Sequence, residues 1–452
     1  MIEGFFKAFF NIFRIEDLRK KVLYTLLIMV VYRIGAHIPT PGIDGQALAG
    51  FFDRIARAQG GSLFGVMNLF SGGAMKQMTI FALGIMPYIS SSIIIQLLTV
   101  VIPALERLSK EGDEGRKKII QYTRYGTVLL SAIQSFFISL WLENPNAFQG
   151  TIIVPHPGWG FRLMTMLTLT TGTAFIMWLG EQIDERGIGN GISLIITVGI
   201  ISRIPQAALQ TMQLLSPFDP SQRILDWWKF GLLLSLVVLT TVGVIYVIQG
   251  QRKIPVQYAK RVVGRRVYGG QSTYLPLRVN QAGVIPIIFA QSVILFPATI
   301  AGFVANPYLQ SIAHFLSSGS PGYFILYPLL IIFFTYFYTA ITFNPVDVAD
   351  NLKKYGGFIP GVRPGKTTAE YLDFLMTRTV LFGSVFLALI AIFPNFVTIG
   401  LKVPFLVASF MGGTGLLITV GVILDTMKAI ESQLLMRHYD GFVKKGKLKG
   451  RR

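Results

Sequence analysis

The chain of 452 residues is 52% hydrophobic and only 14% charged, with a mean hydropathy of +0.56. Soluble domains carry about a quarter charged residues, so this composition belongs to a bilayer. Cysteine is absent, which excludes disulfides, thiolate metal sites and cysteine nucleophiles, and the net charge of +19 has to be placed somewhere.

The opening stretch MIEGFFKAFFNIFRIEDLRKK lacks the uninterrupted apolar core and small-residue cleavage site of a signal peptide. It reads as an amphipathic helix lying on the membrane and ending in Arg19, Lys20 and Lys21. Crossing a ~30 Å hydrocarbon core takes about 20 mostly apolar residues. Segments of that kind fall at 22–38, 77–102, 119–142, 161–180, 190–212, 230–250, 281–303, 323–343, 378–400 and 403–430. Arg33 interrupts the first, and snorkelling toward an interface would accommodate it. Between the first two segments, Ser62–Phe70 is apolar and helix-like, but at ~1.5 Å per residue it reaches only about 14 Å. Gly60-Gly61 and Ser71-Gly72-Gly73 bracket it as chain turns. It reads either as a re-entrant segment beside a pore or as a surface helix on the outer leaflet.

Lysine and arginine are distributed unequally between alternate connections. The N-terminal arm, the even-numbered connections and the C-tail hold 29 of the 41, and the remaining connections hold 7. Arg33, Arg124, Arg162, Arg378 and Lys428 lie within segments or at their ends. The positive-inside rule puts both termini in the cytoplasm, and ten spans require them to share a side. Attraction to anionic lipid accounts for the basic tail GFVKKGKLKGRR.

Two cytoplasmic loops call for more. Residues 251–280 combine β-branched and aromatic residues with breaks at Gly264 and Gly269-Gly270, predicting a protruding hairpin. Residues 344–377 carry a Gly- and Pro-rich tip around Arg363. Arg252, Lys253, Lys260, Arg261, Arg265 and Arg266 in the first, with Lys353, Lys354, Arg363 and Lys366 in the second, are candidates for docking nucleic acid or an acidic partner.

Ionisable groups are missing from the segment centres. The histidines His37, His156, His314 and His438 fall at segment ends or in loops, and the interior polar groups are amides and hydroxyls such as Gln96, Gln134, Gln291 and Thr168–Thr173. Ion and proton pathways usually carry intramembrane acids, histidines or lysines, so a ten-span secondary transporter with inverted repeats is the weaker reading. No H-E-x-x-H, P-loop or G-x-S-x-G occurs, and LGEQIDERGIGNG reads as a tight connection rather than a nucleotide loop. A lipid or polyprenyl transferase would need clustered acids at one interface. Only Glu181, Asp184 and Glu185 approach that, flanked by Arg186. The chain is read as a non-enzyme with no cofactor.

Five stretches together resemble one family. They are RIGAHIPTPGID at 33–44, FSGGAMKQMTIFALGIMPYISSSIIIQLL at 70–98, TTGTAFIMWLGEQIDERGIGNGISLII at 170–196, LPLRVNQAGVIPIIFAQSVILFPATI at 275–300 and NPVDVADNLKKYGGFIPGVRPGKTTAEYL at 344–372. In the same order, and over nearly the whole chain, they are similar to bacterial SecY, the channel-forming subunit of the Sec translocase. The resemblance implies an all-α polytopic membrane protein of ten transmembrane helices in two pseudo-symmetric inverted five-helix halves, about 1–225 and 226–452. The halves would hinge near the connection between segments 5 and 6.

The implied activity is the passage of unfolded secretory polypeptides across the bacterial plasma (inner) membrane and the lateral release of transmembrane segments. Implied partners are SecE- and SecG-type subunits, the SecA motor ATPase, the ribosome at the cytoplasmic loops, signal sequences and membrane lipids. By resemblance, Ile85, Ile89, Ile192, Ile196, Ile288 and Ile418 form a pore ring, for which lipid-facing or interhelical packing is the ordinary alternative. Ile85/Ile89 and Ile192/Ile196 each repeat at i,i+4 on one helix face. The short run containing Ser62, Leu63, Phe64, Val66, Met67, Leu69 and Phe70 matches a plug, and segments 2 and 7, with Gln96 and Gln291, match a lateral gate.

Overall fold

The computed structural model describes residues 15–58, 68–148, 150–215, 226–258, 261–263, 266–268, 272–303, 308, 311–312, 315–316, 319–401, 403, 405–410 and 413–445. Each of the ten apolar segments contains a helix. Segment 1 is α1 (Glu16–Gly35), and segment 2 is α3 (Met86–Val101), continued by α4 (Pro103–Lys110). Segments 3 and 4 are α5 (Asp113–Leu142) and α6 (Trp159–Arg186), and segment 5 is α7 (Gly191–Ile201) with α8 (Ile204–Leu215). Segment 6 is α9 (Trp227–Gln249), segment 7 is α10 (Ile285–Phe303), and segment 8 is α11 (Pro321–Thr342). Segment 9 is α13 (Lys366–Leu401), and segment 10 is α14 (Phe405–Phe410) with α15 (Gly413–Lys445). Among the described residues, seven helical spans are long and apolar enough to cross a bilayer alone, or eight with the bent α3–α4 pair counted as one. One large buried cluster runs through the bundle, joining residues of α1, α3, α5, α6, α7, α10, α11, α13 and α15.

Four boundaries differ from the sequence reading. Segment 2 does not begin as helix at 77, because residues 71–85 are a folded run of turns. Backbone there pairs across to the end of segment 1: Thr40 donates to Met78 O at 3.0 Å and Ile80 to Ile38 O at 3.0 Å. Those bonds occupy groups that a helix would need, and helix starts only after Gly84, at φ +58°. Segment 2 also ends sharply. Ile102, ahead of Pro103, is extended (φ −97°, ψ 112°), as a residue before proline prefers, and the axis turns by 101° into α4.

The remaining two boundaries lie in segments 5 and 10, which are each in two pieces. Segment 5 breaks at Ser202–Arg203 and segment 10 at Gly413, where φ is +81°. Arg203 lies inside segment 5, within its sequence bounds of 190–212; counted there rather than with the connection that follows, it leaves the sparse connections with 6 lysines and arginines.

The first connection contains α2 (Gly45–Ala58), which the segment search passed over because it is too short and too polar to cross. Its start is nevertheless written locally: the Asp44 carboxylate accepts the N–H groups of Gln46 (2.9 Å) and Ala47 (3.0 Å).

The hairpin expected over 251–280 is present and larger than expected. Strand β1 (Gln251–Tyr258) pairs antiparallel with β4 (Ser272–Arg278), from Gln251↔Arg278 to Gln257↔Ser272, and β2 (Arg261–Val263) with β3 (Arg266–Tyr268) forms a second ribbon between them. The second basic loop adds α12 (Pro345–Lys354) and then β5 (Gly357–Phe358), which joins the free edge of β1 through Gln257↔Phe358 and Tyr258↔Gly357. The two loops are therefore one structure, with strand order β4-β1-β5. Its own small core of Ile254, Val256, Leu277, Ile359, Leu372 and Leu375 includes residues of the N-terminal end of α13.

Candidate functional site

The six isoleucines singled out in the sequence come from four helices. Ile85 sits at the N-cap of α3 and Ile89 one turn into it, with Ile89 N donating to Ile85 O at 3.1 Å, so the i,i+4 relation survives although Ile85 itself is not helical (φ −92°, ψ 0°). Ile192 and Ile196 share α7, Ile288 belongs to α10, and Ile418 to α15. Five are buried, Ile192 is half-buried, and all six belong to the one central cluster or pack against it. The helices that carry them pack in pairs: α3 on α10, and α7 on α15 and on α6. Such a group can exclude water and ions while remaining deformable.

Of the run matched to a plug, Ser62, Leu63, Phe64, Val66 and Met67 lie outside the described residues. Leu69 and Phe70 are buried in the central cluster. The turn that follows is tied to itself and to the bundle. Asn68 O accepts from Gly73 N (2.9 Å), and Asn68 Oδ1 accepts from Lys76 N (3.1 Å). Arg33 Nη1 donates to Gly72 O (3.3 Å) and to Ser202 Oγ (3.0 Å). Arg33 therefore does not simply snorkel away from its helix. It links α1 to the turn after residue 70 and to the break in segment 5, a role with no sequence signal because its partners are 39 and 169 residues away.

α3 and α10, matched to a lateral gate, do pack together, and Ser292 Oγ lies 3.9 Å from Met86 Sδ across the seam. The two amides do not meet: among the described residues they share no hydrogen bond. The Gln96 amide turns to Ser92 Oγ (3.5 Å) on its own helix, while Gln291 is fully buried.

The acidic group at the end of α6 is accounted for structurally. Glu181 takes a two-pronged ion pair from Arg124 (2.7 and 2.9 Å), and Asp184 Oδ1 accepts the Gly191 N–H (2.7 Å) at the start of α7. Those contacts supply the tight connection expected over LGEQIDERGIGNG and leave no cluster of acids suited to transferase chemistry. Among the described residues no group of three His, Asp or Glu has metal-binding geometry.

Two of the docking candidates lie on the composite sheet itself, and the other described ones lie elsewhere in the two loops. Arg252 and Lys253 are exposed on β1, opposite Leu277 and Pro276 of β4. Arg261 and Arg266 belong to β2 and β3, and Lys260 and Arg265 lie outside the described residues. Lys353 and Lys354 close the last turn of α12, Arg363 is exposed at the tip, and exposed Lys366 stands 3.8 Å from Glu370. β5 is the feature that the sequence reading missed: two residues with no periodicity of their own fuse the loops.

The SecY family model matches residues 79–427. The protein translocase subunit SecY of Escherichia coli strain K12 is 48% identical over 438 residues, covering 96% of each chain. A solved structure described as that of a protein conducting channel superposes with a TM-score of 0.61 at 18% identity, over 92% of both chains. Sec61 in a canine ribosome-channel complex from the endoplasmic reticulum gives 0.57 at 17% identity, over 92% of both. The first two of these matches report descent and the last two report fold. With ten apolar helical segments and one shared core behind them, they place this multi-pass membrane protein in the SecY family.

Proposed function

We propose that the chain is the central conduit of a protein translocase, passing unfolded polypeptides through the bundle between α3, α7, α10 and α15. It is a channel subunit rather than an enzyme, and partners supply the driving force. The observation that carries this reading is the burial, in one apolar cluster, of isoleucines drawn from four helices on both sides of the chain midpoint. A deformable aliphatic constriction seals against ions by dewetting yet yields to a passing chain. Ile85, Ile89, Ile192, Ile196, Ile288 and Ile418 form that constriction, and the run from Ser62 to Phe70 closes it from outside. The halves 1–225 and 226–452 part along the α3–α10 seam, releasing apolar segments into lipid.

The charge asymmetry supports a plasma-membrane orientation with both termini cytoplasmic. The two loops then face the cytoplasm and present Arg252, Lys253, Lys353, Lys354 and Arg363 to a ribosome or a SecA-type motor. A ribosome is named in the description of the Sec61 relative in fold. SecE- and SecG-type subunits complete the assembly by family analogy.

The test uses the cysteine-free background. Single cysteines at Ile89 and Ile196 are challenged with a stalled secretory polypeptide carrying one cysteine. Disulfide crosslinks that migrate along the substrate as it is lengthened establish threading. No crosslink at either position, with substrate engaged, removes the conduit from this cluster and restores the small-solute transporter as the better reading.

A further inference from the structure

Of the two helices matched to a lateral gate, α3 packs on α5 as well as on α10, and the two neighbours hold it differently. Toward α10 the polar contact is the approach of Ser292 Oγ to Met86 Sδ at 3.9 Å, and a thioether is a weak acceptor. Toward α5 the contact is short and buried. Ser91, 2% exposed, donates its hydroxyl to the backbone carbonyl of Thr123 at 2.8 Å, across 32 residues of chain.

That bond depends on a gap in α5. A Cβ on Gly126 would overlap Ser91 Oγ and lie 3.4 Å from Ser91 Cβ, so the hydroxyl occupies the space that glycine leaves empty. Close approach over a small residue and an interhelical hydrogen bond are the two contributions that hold helices together in lipid, and here they coincide. The acceptor is also shared. Thr127 Oγ1 donates to the same Thr123 carbonyl at 2.7 Å, and the Thr127 amide is its helical partner. A carbonyl offers two lone pairs, so three donors compete for them, and the strength of the Ser91 bond is set partly by Thr127.

We propose that Ser91 is the positioning residue that ties α3 to α5, so that α10 is the neighbour α3 loses when the seam opens. The proposal rests on the α3–α10 opening given under the proposed function. With the tie in place, α3 stays with α5 and the crevice forms on its α10 side. Without it, α3 follows α10 part of the way, and the seam opens less.

The test uses Met86→Cys with Ser292→Cys in the otherwise cysteine-free full chain, in membrane vesicles. It reads how fast a short bifunctional thiol reagent joins the pair. Engaging a stalled, cysteine-free secretory polypeptide is expected to slow the joining. Ser91→Ala is expected to raise the rate in the engaged channel at least about threefold, which corresponds to the ~0.6 kcal/mol of an interhelical hydrogen bond in lipid. Gly126→Ala displaces the same hydroxyl while favouring helix in α5, and should do likewise. Thr127→Val leaves the carbonyl to Ser91 and should slow the joining further, an opposite sign that a general loosening of the bundle would not produce. Equal engaged-channel rates in the parent, Ser91→Ala and Gly126→Ala overturn the role of Ser91, as does a shift of one sign in all three variants. A resting rate that moves as much as the engaged rate also overturns it, because the variants then alter the closed packing. No slowing in the parent removes the seam opening itself and the proposal with it, whereas the other failures leave the channel reading standing.

Discussion

Where α3 meets α10, polar groups are buried: Ser90, Gln291 and Ser292 are all below 9% exposure, and Ser292 reaches Met86 Sδ. Where α7 meets α15, the contact is isoleucine, leucine and glycine. Ile196, Ile200, Leu417 and Ile418 are at most 1% exposed, and a Cβ on Gly415 would come 3.5 Å from Ile200 Cγ2 and 3.7 Å from Leu69 Cδ2. Both seams join the first five segments to the last five, but their adhesion differs in kind. In lipid, apolar contact between helices gains nothing from expelling water, so close packing around small residues is what holds them. Under the proposed channel reading, the seam packed around Gly415 is the fixed side. Buried hydroxyls and amides contribute little each in a bilayer and can exchange partners, which fits a seam that opens.

The largest effect that would break this contrast is a charge in the closed seam. Ile418→Asp is expected to cost about 3 kcal/mol, the penalty for an acid at a helix centre. It would be read as a lowered denaturation midpoint in mixed detergent micelles, and an unchanged midpoint would mean that α7 and α15 are not tightly apposed. Gly415→Leu follows. Overpacking by a full side chain against Ile200 and Leu69 is expected to destabilise by about 1–3 kcal/mol and to raise resting ion leak in planar bilayers. A leak that stays at the wild-type level would separate Leu69 from the seal.

At the α3–α10 seam the expected effects are smaller. Ser292→Ala should shift the same midpoint by about 0.6 kcal/mol or less. Gln291→Leu should instead change which substrates open the gate, lowering the signal-sequence hydrophobicity needed for export; unaltered selectivity would leave the α3–α10 seam no more specialised than its counterpart. The smallest change belongs to the periphery. Arg124 is 46% exposed, so Arg124→Gln should cost at most about 1 kcal/mol, and less at high salt, despite the two-pronged pair with Glu181.

The composite sheet shows where reading the sequence stopped. Alternation and glycine breaks were enough to predict a hairpin in residues 251–280. They carried no information that Gly357-Phe358, about a hundred residues further on, would pair with Gln257 and Tyr258. The same limit applies to α3. Residues 77–85 are apolar enough to read as membrane helix, and only their pairing with 38–40 converts them to turns. Arg33 was noticed as an anomaly, but its partners Gly72 and Ser202 could not be guessed from spacing.

What the sequence determined by itself is the solvent, the number of apolar segments and the two basic loops. A bilayer imposes a length of about 20 apolar residues and an unequal share of lysine and arginine, and both are one-dimensional signals. Only the tertiary structure decided that isoleucines from four helices are buried in one cluster and that two loops fold as one sheet. It also decided that Gly72 sits beside Arg33 and Gly126 beside Ser91. Those outcomes depend on helix-to-helix contact and backbone pairing between residues far apart in the chain, for which neither periodicity nor composition carries a term.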